Sequence, residues 1–216
     1  MKRDRAFEQE KQRKLTPAEE KRLQRFEALC ESMEEKGWRK SDLTVGIVRA
    51  NVLTIVMALP ICALAVLLFR RLNPASPWSL SGKEMILWLL GLLVLTAVHE
   101  GIHGLTWSFF TPNGLRDIEF GFMKQYLTPY CTCGTPLRKG PYIAGSLMPL
   151  LTLGILPWIV SLLCGSTLLM YLSLVMILAA GGDMLIVFEL LRHRSSAAEQ
   201  LVCDHPTQAG SVLFER

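Results

Sequence analysis

Apolar residues in this chain are gathered into long runs, with charged and polar residues confined to the segments between them and to the two ends. Four runs stand out, at about residues 46–69, 85–110, 143–164 and 168–191. Each is long enough to cross about 30 Å of hydrocarbon, which takes roughly 20 helical residues. The pattern predicts an all-α membrane protein with four transmembrane helices.

Ahead of the first run, Thr16-Pro17-Ala18-Glu19 has the form of a capping box with proline at the first helical position. It predicts a helix to about Lys36, stopped by Gly37. Leu23, Phe26, Cys30 and Met33 line one face of it at helical spacing. That stripe predicts a cytoplasmic helix that docks on the rest of the protein or lies on the membrane surface. Residues 1–15 are charged and read as a mobile segment.

Between the second and third runs, Ile118-Glu119-Phe120-Gly121-Phe122 alternates in polarity or size. Tyr126–Tyr130 and Cys131–Pro136 read as extended pieces with turns, so a short β-hairpin is expected near the membrane surface. The third run contains Gly145, Pro149, Gly154 and Pro157. It reads either as a kinked packing helix or as a broken helix lining a polar cavity. The chain thus divides into a charged N-terminal segment (1–44), a four-span domain (45–194) and a C-terminal tail (195–216).

Charge placement orients these spans. Of 23 Lys and Arg residues, 12 precede the first run. Arg70, Arg71 and Lys83 lie in the first loop, Arg116, Lys124, Arg138 and Lys139 in the next long loop, and Arg192, Arg194 and Arg216 in the tail. By the positive-inside rule the N-terminus is cytoplasmic, and four crossings return the C-terminus to the same side. The expectation is a multi-pass protein of the cell membrane, with the lipid bilayer as its standing partner. Acidic residues nearly match the basic ones in the N-terminal segment, which argues against a nucleic-acid partner and against organelle targeting. The first apolar run begins too late to be a cleavable signal peptide. The six cysteines are scattered; Cys62 and Cys164 fall in apolar runs. Cys131 and Cys133 are separated by one residue, unlike a zinc knuckle, and a disulfide framework is not expected in a cytoplasmic loop.

The candidate chemistry is in the second run. His99-Glu100-Gly101-Ile102-His103 is an HExxH sequence within a stretch that has no other charged residue nearby. On a helix, His99 and His103 point the same way and can share one Zn²⁺, while Glu100 beside them can take a proton from an attacking water. Three ionisable groups within five residues of a span are costly and usually functional. The competing view, in which the histidines bond to carbonyls and Glu100 is neutral, explains the spacing less well.

A catalytic zinc takes three protein ligands as a rule, so a third is needed. The metzincin pattern would require Gly at 106 and His at 109; this chain has Thr106 and Phe109. Asp183 is the leading candidate. It lies in the fourth run after Gly181 and Gly182, at nearly the same depth as the two histidines, and the glycines permit close helix approach. Asp117, Glu119, Glu189, His193 and His205 stay open as alternatives.

On these residues the chain resembles a bacterial membrane family described as zincin peptidases, formerly a domain of unknown function. It is more distantly similar to the site-2 protease group of intramembrane metalloproteases. The likeness rests on His99-Glu100-Gly101-Ile102-His103, on Gly181-Gly182-Asp183 and on the tail Asp204-His205-Pro206-Thr207, and it covers about residues 45–216. In site-2 proteases an aspartate on a later span completes the metal site, which maps onto Asp183. Their Leu-Asp-Gly is replaced here by Gly182-Asp183-Met184, and their Asn-Pro motif by Ser146-Leu147-Met148-Pro149, without the asparagine. The resemblance implies a zinc peptidase with Glu100 as catalytic base, acting on membrane-bound peptides. A zinc hydrolase of a lipid or amphiphile, and a non-proteolytic zinc protein with a structural or assembly role, are the alternatives.

Overall fold

A computed structural model describes residues 15–123 and 128–216. The segment expected to be mobile therefore lies almost wholly outside the described residues, as do Tyr126 and Leu127 of the expected hairpin.

Helix α1 (Pro17–Glu35) begins at the capping box read from sequence. The Thr16 side chain accepts from the Glu19 amide, and the Glu19 carboxylate accepts from the Thr16 amide at 2.9 Å. After strand β1 (Arg39–Asp42) come two long helices, α2 (Ile47–Leu72) and α3 (Gly82–Ser108). A second capping box, Ser81 with Glu84, starts α3. The third apolar run forms α4 (Lys139–Pro149), a π-helical stretch at Leu150–Ile155, and α5 (Leu156–Cys164). The fourth forms α6 (Thr167–Ala179) and α7 (Gly181–Arg192), bent by 42° between them.

Three of these units are long and apolar enough to cross a membrane, and there are four if the bent pair counts as one span. Their outer faces carry large apolar side chains in the open, among them Leu67, Leu93, Val94 and Leu163. A surface of that kind is unstable in water and suits lipid.

The π-helical stretch follows from Pro149, which removes an amide from the ladder; the helix absorbs the mismatch over one wide turn. It packs on α6, where Gly154 faces Ile177. The neighbouring groove is lined by Leu87, Leu90, Val94, Leu153, Pro157, Leu169 and Leu172. Of the two readings of this run, the kinked packing helix describes that stretch; the polar groups that matter lie earlier, on α4.

The all-α expectation needs correction. The protein is mostly helical but also holds a four-stranded antiparallel sheet, ordered β1-β6-β5-β4, from β1, β4 (Leu137–Arg138), β5 (Gln200–Asp204) and β6 (Ser211–Glu215). The segment read as a tail supplies two of these strands. The expected hairpin is present as β2 (Ile118–Met123) paired with β3 (Thr128–Cys133), Phe120 lying opposite Cys131.

The four-stranded sheet is covered on both faces. Strand alternation sends Cys203, Val212 and Phe214 towards Phe26, Cys30 and Met33 of α1. Val202 and Leu213 point the other way, into a core with Trp107, Ile118, Leu137, Tyr142 and Leu190. The apolar stripe of α1 thus docks on the C-terminal sheet. An Arg25–Glu119 ion pair and the Arg22 guanidinium over the Tyr130 ring tie α1 to the hairpin as well.

At the end of the inner strand β6, Glu215 is buried and accepts from Ser41 at 3.0 Å and Arg39 at 3.3 Å, with His193 at 3.2 Å. Burial raises this carboxyl, but hydrogen bonds from Ser195, Ser41 and His193 outweigh that and hold it below the ordinary glutamate range.

Candidate metal centre

The second half of α3 turns inward. His99, His103 and Trp107 are buried, one helical turn apart along a single face, with Gly104 buried beside them. Asp183 is in the first turn of α7, immediately after the bend at Ala180, where the helix N-terminus favours a carboxylate. Its Oδ2 is 3.2 Å from His99 Nε2 and its Oδ1 3.4 Å from His103 Nε2; the two Nε2 atoms are 3.1 Å apart.

The glycines before Asp183 work differently from the sequence expectation. Gly181 packs against Thr54 of α2, where any side chain would collide, so it seats the bend on the first span rather than on α3.

His103 is held from behind. Its Nδ1 is 2.9 Å from the carbonyl of Gly145 on α4. A carbonyl only accepts, so Nδ1 carries a proton; in the neutral ring this leaves Nε2 as the nitrogen that presents a lone pair towards His99 and Asp183. Gly145 is required for this approach: a Cβ there would run into the Trp107 indole. The indole stacks on the His103 ring at 5.2 Å and 18°, and its Nε1 donates to the Tyr142 carbonyl at 3.1 Å. His99 Nδ1 is buried with no hydrogen-bond partner among the described residues.

Glu100 is half-buried beside this cluster, where the backbone of Cys131 in β3 hydrogen-bonds its carboxylate. It makes no direct contact of the kind Asp183 makes. Burial raises the Cys131 and Cys133 thiols, so both are protonated at neutral pH.

The alternative third ligands are engaged elsewhere. Asp117 accepts from the amide and side chain of Asn113, and Glu119 pairs with Arg25. Glu189 faces Arg192 at 3.8 Å, and His193 meets Glu215. His205 Nδ1 accepts from the amides of Thr207 and Gln208 in its own loop.

The donor set suits a divalent metal. With both rings neutral and their Nε2 atoms bare, two imidazole lone pairs and a carboxylate converge on one point, an arrangement that suits a cation between them. The donor atoms of His99, His103 and Asp183 lie within 4.8 Å of one another. The edges of 3.1, 3.2 and 3.4 Å are close to the roughly 3.3 Å between ligand atoms of a tetrahedral site with bonds of about 2.0–2.1 Å.

Sequence reasoning missed the support for these ligands. Trp107 follows His103 by one turn, which is a faint signal. Nothing in the sequence marks the Gly145 carbonyl or the Tyr142 side chain, because their role depends on how α4 lies against α3.

No curated protein and no solved structure matches the chain. The comparisons lend no support to the site-2 protease likeness. Residues 92–198, which hold His99, Glu100, His103, Gly145 and Asp183, match the family described as "Putative zincin peptidase".

Proposed function

We propose that this chain is a zinc-dependent intramembrane metalloprotease that hydrolyses peptide bonds of membrane-bound substrates. The observation that carries the proposal is the convergence of His99, His103 and Asp183 at one end of helices apolar enough to span a bilayer. The family of residues 92–198 supports a peptidase in coarser terms.

His99, His103 and Asp183 would hold the metal. Bound zinc supplies Lewis acidity, which lowers the pKa of a water to about 7 and polarises a substrate carbonyl. Glu100, one residue from His99 but rotated about 100° around the helix, is left free to accept the proton of the attacking water. It then returns that proton to the leaving amine. Trp107 and the Gly145 carbonyl keep the His103 ring in the orientation this requires.

The substrate is a membrane-bound peptide, unwound enough to expose its backbone. Among the described residues strand β2 pairs with β3 alone, which leaves its other edge without a strand and suits pairing with an extended segment. The N-terminal charge excess sets both termini in the cytoplasm, and water reaches the site from that side.

The test is metal analysis and cleavage assays on the full chain in lipid. The unchanged protein should carry one zinc and cleave a membrane-bound peptide. Glu100→Gln should keep the zinc and lose activity by about 10²–10⁴-fold, the usual contribution of a general base. An active Glu100→Gln protein refutes the mechanism. Release of lipid headgroups without peptide cleavage points to the lipid hydrolase, and zinc binding with no hydrolysis to the structural role.

A further inference from the structure

Asp204 is unexplained by the metal cluster itself. It begins the Asp204-His205-Pro206-Thr207 motif, lies on β5, and falls outside the stretch that matches the zincin family. Its carboxylate is nevertheless at the end of a continuous path to His103.

Six contacts make up this network. Asp204 accepts a hydrogen bond from the Tyr142 hydroxyl through Oδ1 and one from Thr132 Oγ1 at 2.8 Å through Oδ2. The Tyr142 ring, 1% exposed, stacks on Trp107 at 5.5 Å and 19°. Trp107 donates to the Tyr142 carbonyl and stacks in turn on His103. Gly145, one turn along α4 from Tyr142, accepts from His103 Nδ1. One carboxylate therefore fixes the start of α4 and the hairpin strand β3 at once, and through α4 both supports of the His103 ring.

A carboxylate in this setting is costly unless its bonds are made. Burial raises the Asp204 carboxyl above its ordinary range, against hydrogen bonds from Tyr142, Thr132 and the Cys133 backbone.

The geometry points to Asp204 as a positioning residue for the metal site: by clamping Tyr142 and Thr132 it holds α4 against α3, and so sets the orientation of the ligand His103. This rests on the metal reading of His99, His103 and Asp183. Partners that orient a ligand typically change metal affinity by 10–100-fold. Asp204 acts one step further out, so the low end of that range is expected.

The experiment measures Zn²⁺ affinity of the full-length protein in detergent by competition with a chromophoric chelator. Asp204→Ala and Tyr142→Phe should each weaken zinc binding about tenfold. Asp204→Asn should stay within about threefold of the unchanged protein, because its amide oxygen still accepts from Tyr142 and its NH₂ donates to the Thr132 hydroxyl. Phe26→Ala, which loosens α1 from the same sheet without touching this path, should leave zinc affinity unchanged. If Asp204→Ala fails to fold, Tyr142→Phe and Asp204→Asn decide. Unchanged affinity in Tyr142→Phe, or equal losses in Asp204→Ala and Phe26→Ala, overturns the positioning role. No zinc binding by the unchanged protein overturns the metal reading itself, which is a different result.

Discussion

The two halves of α3 differ in hydrophobic composition and have opposite surroundings in the fold. In the first half, Leu93 is 73% and Val94 62% exposed. In the second, His103 and Trp107 are each 4% exposed. The apolar half faces outward and the polar half inward, the reverse of a helix in a water-soluble protein. The inward half is also the one in contact with α4, β2, β3 and α7, so its polar groups have partners to meet. The difference shows where polar groups are accommodated in such a chain: at the end capped by the sheet and hairpin, not along the exposed apolar shaft.

The strongest way to break the comparison is to remove a ligand from the buried half. His103→Ala should abolish stoichiometric zinc, measured by elemental analysis, and Asp183→Ala should weaken binding sharply. Full zinc occupancy in both variants would remove the site as drawn. A charge on the exposed half tests the other side of the comparison. Leu93→Arg should cost about 2.5–3.5 kcal/mol of membrane insertion if the residue is near the centre of the bilayer. Its zinc affinity, in whatever protein inserts, should equal that of the unchanged chain. Normal insertion would contradict the lipid-facing assignment.

A smaller effect is expected at the contact between α3 and α4. Gly145→Ala forces the added methyl against the Trp107 indole, and overpacking of this kind costs about 1–3 kcal/mol. Thermal unfolding should register the loss, with weaker zinc binding alongside it; a variant as stable as the parent would mean that α4 can move away freely. The smallest effect belongs to the sheet. Glu215 has a folded pKa below its ordinary value near 4.5, so its contribution is complete above that value and fades as pH falls through the lower folded pKa. Glu215→Gln should cost about 1 kcal/mol at neutral pH, the difference between charge-assisted and neutral hydrogen bonds. The gap from the unchanged protein should close in acid. A gap that persists at pH 3 would show that something other than ionisation sets it.

Much of this arrangement was legible from local sequence. Thr16 and Glu19 mark the start of α1, and Phe26, Cys30 and Met33 its docking face, because capping and helical spacing act within a few residues. The hairpin was legible from alternation. The C-terminal sheet was not. Val212-Leu213-Phe214 in β6 is buried on both faces, so it shows no alternation, and its short length after the charged end of α7 reads as tail. The other strands of that sheet, β1 beside β6 and β4 beside β5, are four and two residues long and lie far away in the chain.

By itself, the sequence determined that His99 and His103 share a helix face and that Glu100 does not, since helical geometry fixes both. It also narrowed the third ligand to a short set of acids and histidines headed by Asp183. Tertiary structure decided among them, through the bend at Ala180 that puts Asp183 against the histidines while Asp117, Glu119, Glu189, His193 and His205 find other partners. Only tertiary structure, too, places the Gly145 carbonyl behind His103 and links Asp204 to it. Such contacts join residues 42 and 62 positions apart through a backbone oxygen and a hydroxyl, and neither leaves a periodic trace in the chain.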